Sequence, residues 1–341
     1  MAIVQAYKGT NMLTPPNWQG LENYYSNTRI GIIERVTRET IDRYGSTYLG
    51  TFESDFDTGR LLGGTVTNYV GMKNASEQFL ITGIAAPILD IYRKGPIADT
   101  YPVLLAGRDA INGSPENDLL GAFGGADSMN GGAGDDTLFA GLGDDVITYS
   151  PGRDIVYGEE GFDSLNVGAT RSAFTVSRVD PNTLKLTQDS ANTVSINSIE
   201  RVYFTGKDVL ALDVGAGENA GEAYRMYQAA FNRTPDSNGL AGWINYLDQG
   251  SNPLQMANQF IASTEFQNNY GQLDNTGFVQ LMYNNVLHRN GSASEVQGWV
   301  NGLAGGLSRA EVLHGFSESA ENIANLIPVI GNGVSYNQWW T

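Results

Sequence analysis

The chain has 341 residues, 41% of them hydrophobic, no cysteine and a formal net charge of −17. The length allows two or three domains, and the apolar content allows packed cores. The lack of cysteine excludes disulfides and thiolate metal sites, the acidity disfavours nucleic acid and anionic membrane surfaces, and no apolar run approaches the roughly 18 residues of a membrane span.

The opening stretch, MAIVQAYKGTNMLTPPNWQG, has no basic segment followed by a long apolar one, so it does not read as a secretory signal. Residues 1–100 are expected to form a β-rich N-terminal domain. Residues 48–56, the turn Asp57-Thr58-Gly59 and residues 61–69 read as a β-hairpin, and residues 78–82 as a further strand. The segment 30–44 is open between helix and strand. No H-E-x-x-H, G-x-S-x-G or phosphate loop is present. Trp18, Tyr24, Tyr25 and Phe52 could stack on sugars or pack in a core.

Residues 101–168 carry a repeat. Asp109, Asp118, Asp127, Asp136, Asp145, Asp154 and Asp163 recur every nine residues, and two residues after each stands Ile111, Leu120, Met129, Leu138, Ile147, Val156 or Leu165. Two residues before each stands a glycine, with Glu116 the exception. Each unit reads as a glycine-rich turn followed by a very short strand. Alternate side chains of a strand point to opposite faces, so one apolar residue per strand can point inward. Two units make one coil of eighteen residues, and stacked coils bury a column of Ile, Leu, Met and Val. That stacking puts Asp109, Asp127, Asp145 and Asp163 on one edge and Asp118, Asp136 and Asp154 on the other. Coils lie about 4.8 Å apart, so the carboxylates crowd and call for a cation. Between residues 104 and 166 twelve acids face two arginines. Calcium fits best, because it takes six to eight hard oxygens, while magnesium demands stricter octahedral geometry. Soft ligands for zinc or copper are missing. The candidate metal site is the seven aspartates with the turn oxygens around Gly125, Gly132, Gly134, Gly141 and Gly143, holding roughly three to five calcium ions.

At these residues the sequence resembles the RTX, or hemolysin-type, family, whose nonapeptide is G-G-x-G-x-D-x-U-x. Residues 131–139 match it in full, and 140–148 match except for the first glycine. The unit from Gly158 has Glu159 at the second glycine, and the unit from Tyr149 carries Pro151. The resemblance implies a parallel β-roll. It further implies export by a type I system of a Gram-negative bacterium through an uncleaved C-terminal signal, and folding on external calcium. A calcium affinity of about 10⁻⁴–10⁻³ M suits an extracellular module, with binding and folding forming one equilibrium.

Residues 169–214 turn to alternating strands: AFTVSRV, TLKLTQ, TVSINSI, ERVYFTG and DVLALDV. An open solenoid end needs covering, so this segment is expected to be a β cap of the roll. Its stretch 199–204 resembles the cap segment that often follows RTX rolls.

Residues 215–341 read as an all-α domain with a 56-residue repeat and a C-terminal tail. Met226, Tyr227, Arg233, Gly242, Trp243, Gly250, Phe260, Ser263 and Glu265 match Met282, Tyr283, Arg289, Gly298, Trp299, Gly306, Phe316, Ser319 and Glu321. Each copy reads as three helices, the third carrying Phe-x-x-Ser-x-Glu. Residues 221–325 resemble a helical domain family of unknown function common in RTX-type proteins. Trp243 and Trp299 are expected in the core, with Arg233–Glu265 and Arg289–Glu321 as buried or half-buried ion pairs. The junction of the two copies could instead serve as a recognition surface. His288 and His314 have no third ligand or nucleophile spaced to join them, so neither a metal site nor acid–base work is assigned.

Three modules without a catalytic set point to a secreted, non-catalytic, calcium-dependent protein of the cell surface or matrix. Its expected role is adhesion or self-assembly into a layer or filament. Its expected partners are calcium and either a second copy or a glycan of the cell envelope; nucleic acid and a transmembrane segment are not expected. Residues 2–7 could pair with a neighbour's sheet edge, and Tyr336, Trp339 and Trp340 could serve an interface. The alternative is a secreted carbohydrate-active enzyme using paired carboxylates, or a glycan-binding module with an RTX folding domain. A toxin or hydrolase remnant ranks last, because the nucleophile and zinc motifs of RTX lipases and proteases are missing.

Overall fold

In the computed structural model, side chains are described over residues 105–338, and toward the N-terminus the backbone of six strands is described. These are β1 Ile3–Ala6, β2 Glu22–Ser26, β3 Ile32–Glu39, β4 Tyr44–Ser54, β5 Leu61–Lys73 and β6 Ser76–Pro87. β4 and β5 form the expected hairpin, with Tyr48 opposite Tyr69 and Ser54 opposite Leu61. The open segment is a strand, β3, in keeping with its β-branched Ile32, Ile33, Val36 and Thr37. The aromatics considered for sugar stacking lie outside the described side chains.

The chain divides into two compact units, Met1–Glu200 and Arg201–Thr341. In the first unit the nine-residue register becomes two parallel ladders. One holds β7 Ala110–Asn112, β9 Ser128–Asn130, β11 Val146–Thr148 and β13 Ser164–Asn166. The other holds β8 Leu119–Gly121, β10 Thr137–Leu142 and β12 Arg153–Glu160. Partners along each ladder are eighteen residues apart, as in Ala110–Ser128 and Leu119–Thr137. The seven apolar residues of the repeat fill the interior, none more than 1% exposed. β1 pairs with β6 on one side and with β7 on the other. The expectation that this end reaches a neighbouring molecule is therefore corrected, since both its edges are paired within the chain.

Three of the five strands expected after the roll belong to this unit: β14 Thr175–Arg178, β15 Leu184–Thr187 and β16 Thr193–Asn197. β16 continues the second ladder in parallel with β12, and β15 and β14 follow it antiparallel.

The second unit holds β17 Arg201–Tyr203, β18 Asp208–Ala211 and β19 Val334–Asn337, all antiparallel neighbours, and eight helices. The helices are α1 Asn219–Phe231, α2 Ser237–Asp248, α3 Pro253–Ala262, α4 Thr264–Tyr270, α5 Asn275–Leu287, α6 Ala293–Ala304, α7 Arg309–Ser317 and α8 Ala320–Ile330. The expected three helices per half become four. Ser263 and Ser319 are N-caps whose hydroxyls accept from Phe266 N and Asn322 N, so each expected third helix is cut in two. α2 and α6 start on Asp236 and Ser292, and Gly250 and Gly306 take positive φ just past their ends. Trp243 and Trp299 pack against the core and are partly buried. Trp243 meets Phe260 edge-on at 4.8 Å, and Trp299 lies 5.1 Å from Phe316. The two ion pairs form, Arg233 with Glu265 and Arg289 with Glu321, but their side chains are about two-fifths exposed rather than buried. Each arginine reaches outward over a tyrosine face, Tyr227 or Tyr283, and meets its glutamate at the surface.

Tyr336 is also a correction. It lies in β19 and is 5% exposed, packed in the helical core, so it is not available to an interface. Trp339 and Trp340 lie outside the described residues.

Candidate metal centre

Each roll aspartate ends a turn and begins a strand, and its two carboxylate oxygens have different tasks. Oδ1 accepts the amide of the aspartate one coil earlier: Asp127 from Asp109 N at 2.7 Å, Asp145 from Asp127 N at 2.7 Å and Asp163 from Asp145 N at 2.9 Å. On the other edge Asp136 accepts from Asp118 N at 2.8 Å and Asp154 from Asp136 N at 3.1 Å. The two edges are therefore the two sets expected from the period. Glu200 extends the first, accepting from Asp163 N through Oε2 at 2.7 Å. Sequence reasoning missed this role, because Glu200 lies outside the nine-residue register. It follows a left-handed residue, Ser198, which no composition signal announces.

Oδ2 takes no part in this ladder. In Asp127, Asp136, Asp145 and Asp163 it is buried and meets no hydrogen-bond donor, and these residues are at most 2% exposed. A buried, unpaired carboxylate oxygen is costly, so a ligand is called for. Glycine keeps the space open. A Cβ on Gly131 would strike the Asp136 carboxylate, and one on Gly143 (φ 119°) would strike the Gly125 carbonyl of the preceding coil. Gly125, Gly132, Gly134 and Gly141 also take positive φ. Among the described residues no three carboxylate or imidazole side chains converge on one point. Main-chain oxygens must therefore complete any shell, which suits a hard ion of high coordination number.

The electrostatics agree. Burial pushes Asp127, Asp136 and Asp163 up from 3.8 to about 7 and Asp145 to about 6. The ladder amides oppose this shift, while the neighbouring Asp145 and Asp109 add to it at Asp127, and Asp154 and Asp118 at Asp136. Without a cation, the folded roll holds protons that the unfolded chain releases near pH 3.8. The folded state thus binds more protons between about pH 4 and 7, and linkage makes the calcium-free roll lose stability as pH rises through that window. The expected result is a higher melting temperature for the chelated roll at pH 4.5 than at pH 8, followed by circular dichroism of the β signal.

The histidines do not join this chemistry. His288 is the left-handed C-cap of α5. His314 Nε2 lies 2.6 Å from Glu222 Oε1, which holds its imidazole above the ordinary 6.5. That pair stabilises the helical unit fully below pH 6.5 and is lost as pH rises through the elevated value. His314→Ala is expected to flatten this part of the pH–stability curve, measured by urea unfolding of the helical signal.

Comparison with known proteins adds two family matches. RTX calcium-binding nonapeptide repeats (4 copies) match residues 105–138, 121–156 and 148–169. Domain of unknown function (DUF4214) matches residues 257–326. No curated protein matches the chain. Among solved structures, the extracellular lipase LipA from Serratia marcescens matches at 26% identity with a TM-score of 0.15. That match covers 28% of this chain and only 14% of the lipase. Among the described residues no helix is long and apolar enough to cross a membrane. The two family matches and the nine-residue register thus place RTX calcium-binding nonapeptide repeats within residues 105–169 and a DUF4214 domain at residues 257–326.

Proposed function

We propose that the protein is secreted from a Gram-negative bacterium by a type I route, folds on meeting external calcium, and acts without catalysis. The observation that carries this reading is the buried Oδ2 atoms of Asp127, Asp145 and Asp163 on one edge and of Asp136 on the other, which meet no donor. Those aspartates, with the oxygens of the glycine turns, would hold roughly three to five ions. A bound ion would supply the positive charge that lets the carboxylates stay ionised when buried. β14, β15 and β16 serve as a cap, since they carry the second ladder onward into an antiparallel end. The helical unit is two copies of a four-helix element, a reading supported by matching caps, ion pairs and aromatic contacts.

The expected work of the folded protein is adhesion or self-assembly. An outward face of the roll supports a contact role: Phe139 and Tyr157 stack at 4.8 Å, and Leu142 and Ile155 beside them are exposed. Circular dichroism and light scattering during calcium titration and chelation test the reading. β-structure and larger species that both increase with calcium and fall back with chelator are expected. A chain folded equally well in chelator would overturn calcium-dependent folding, and a monomer at every calcium level would overturn self-assembly.

A further inference from the structure

Two of the turns handle the ion-facing oxygen differently. Ser114 and Ser150 stand where Gly132 stands in the full-match unit, and each is followed by a proline. At the same turn position Phe123, Gly132, Gly141 and Glu159 all adopt positive φ, from 70° to 107°. Ser114 and Ser150 do not. A residue before proline is pushed toward extended backbone, which explains the departure. The consequence appears at the aspartate. Ser114 donates to Asp118 Oδ2 through its amide at 2.6 Å and its hydroxyl at 2.9 Å. Ser114 Oγ in turn accepts from Glu116 N at 3.1 Å. Ser150 Oγ donates to Asp154 Oδ2 at 3.1 Å. Asp136, which lies between them on the same edge with a Gly-Gly turn, has no such donor at Oδ2. Neither do Asp127, Asp145 and Asp163 on the other edge.

We propose that the Ser114-Pro115 and Ser150-Pro151 turns are closed without an ion. Serine donors take the place of calcium at Asp118 and Asp154. Calcium is confined to turns whose aspartate keeps an open Oδ2, with Asp127, Asp136, Asp145 and Asp163 among them. A carboxylate oxygen already taking a serine hydrogen bond is partly neutralised, and the serine no longer presents the left-handed turn of Phe123, Gly132, Gly141 and Glu159. The roll is then uneven: the edge of Asp127, Asp145 and Asp163 depends on calcium throughout, while the opposite edge is pinned by serine on either side of Asp136. This assignment rests on the calcium reading above.

The test counts calcium per full-length chain by equilibrium dialysis and emission spectrometry, with circular dichroism in calcium and in chelator. Ser150→Gly/Pro151→Ala introduces the residue types of Gly132 and Ala133. It is expected to bind one more ion per chain and to lose more β signal in chelator. The reciprocal Gly132→Ser/Ala133→Pro is expected to bind one fewer. An unchanged or lower count for the first variant, folded in calcium, overturns the proposal; a lower count would mean that the serine hydroxyl is itself a calcium ligand. If that variant does not fold, Ser114→Gly/Pro115→Ala carries the same expectation at Asp118. A parent chain that binds no calcium would sink the proposed function itself. A parent that binds calcium, with variants whose counts do not move, would sink this inference alone.

Discussion

Asp145→Asn is expected to raise the calcium concentration at half-folding roughly tenfold or more, while leaving the chelated protein at pH 8 at least as stable as the parent. The two halves of this expectation come from the two oxygens of one side chain. Oδ1 accepts the Asp127 amide at 2.7 Å, and an asparagine oxygen can do the same. Oδ2 is buried without a donor, and burial pushes the carboxyl up to about 6. Above that pH the calcium-free fold must carry a buried charge beside Asp144. Asparagine removes that charge, so the chelated state gains. It also removes an anionic ligand, so the calcium-bound state loses. Asp145→Ala separates the effects, because it also abandons the Asp127 amide, a loss of about 1–3 kcal/mol in either state. The measurement is a calcium titration followed at the β signal, with urea unfolding in chelator. If asparagine destabilises both states equally, the aspartate is a structural residue and not a calcium ligand.

Arg201→Met is expected to cost about 3–5 kcal/mol of the second unit's stability. Arg201 is 1% exposed. It meets Asp213 through one guanidinium nitrogen and Asp248 through another, at 2.8 and 2.7 Å to the two Asp248 oxygens. Asp248 is the last residue of α2, and it also accepts from Asn219 at the start of α1. One side chain thus ties the first strand of the unit to the ends of two helices. Methionine fills the volume but leaves two carboxylates without their counter-charge, and burial pushes Asp213 up to about 6 even with arginine present. Arg201→Lys keeps the charge but cannot present a fork, so an intermediate loss is expected. Urea unfolding followed at the helical signal, in saturating calcium, checks both. A loss below about 1 kcal/mol would place the arginine among ordinary surface pairs.

The roll was legible because its physics is periodic. Nine residues, one aspartate and one inward apolar side chain per unit leave few ways to stack, and all seven apolar positions are buried as the period requires. The helical region was legible in its contacts but less so in its breaks. Ser263 and Ser319 stand inside continuous apolar spacing, and only their capping of Phe266 N and Asn322 N shows that a helix ends and restarts there. Burial of single residues was harder to read. Tyr336 lies near the end of the sequence, yet β19 pairs with β18 and carries it into the core. Long-range pairing of that kind leaves no local signal. The serine turns were visible as irregularities at Ser150-Pro151, but their hydrogen bonds to the aspartates were not, because the pattern records which residue is missing and not what its replacement does.

Glu200 gives the roll a definite length. Every coil offers an aspartate amide that the carboxylate of the following coil accepts, so the ladder resembles a polymer with unlike ends that could add units indefinitely. Glu200 takes the amide of Asp163 from outside the repeat, as a chain terminator caps a growing strand. Its longer side chain fills the acceptor position while its backbone leaves the register. A second roll therefore finds no waiting amide at Asp163 on which to continue the stack. On that edge the ladder is finite because its last bond is made by a residue that cannot begin another turn.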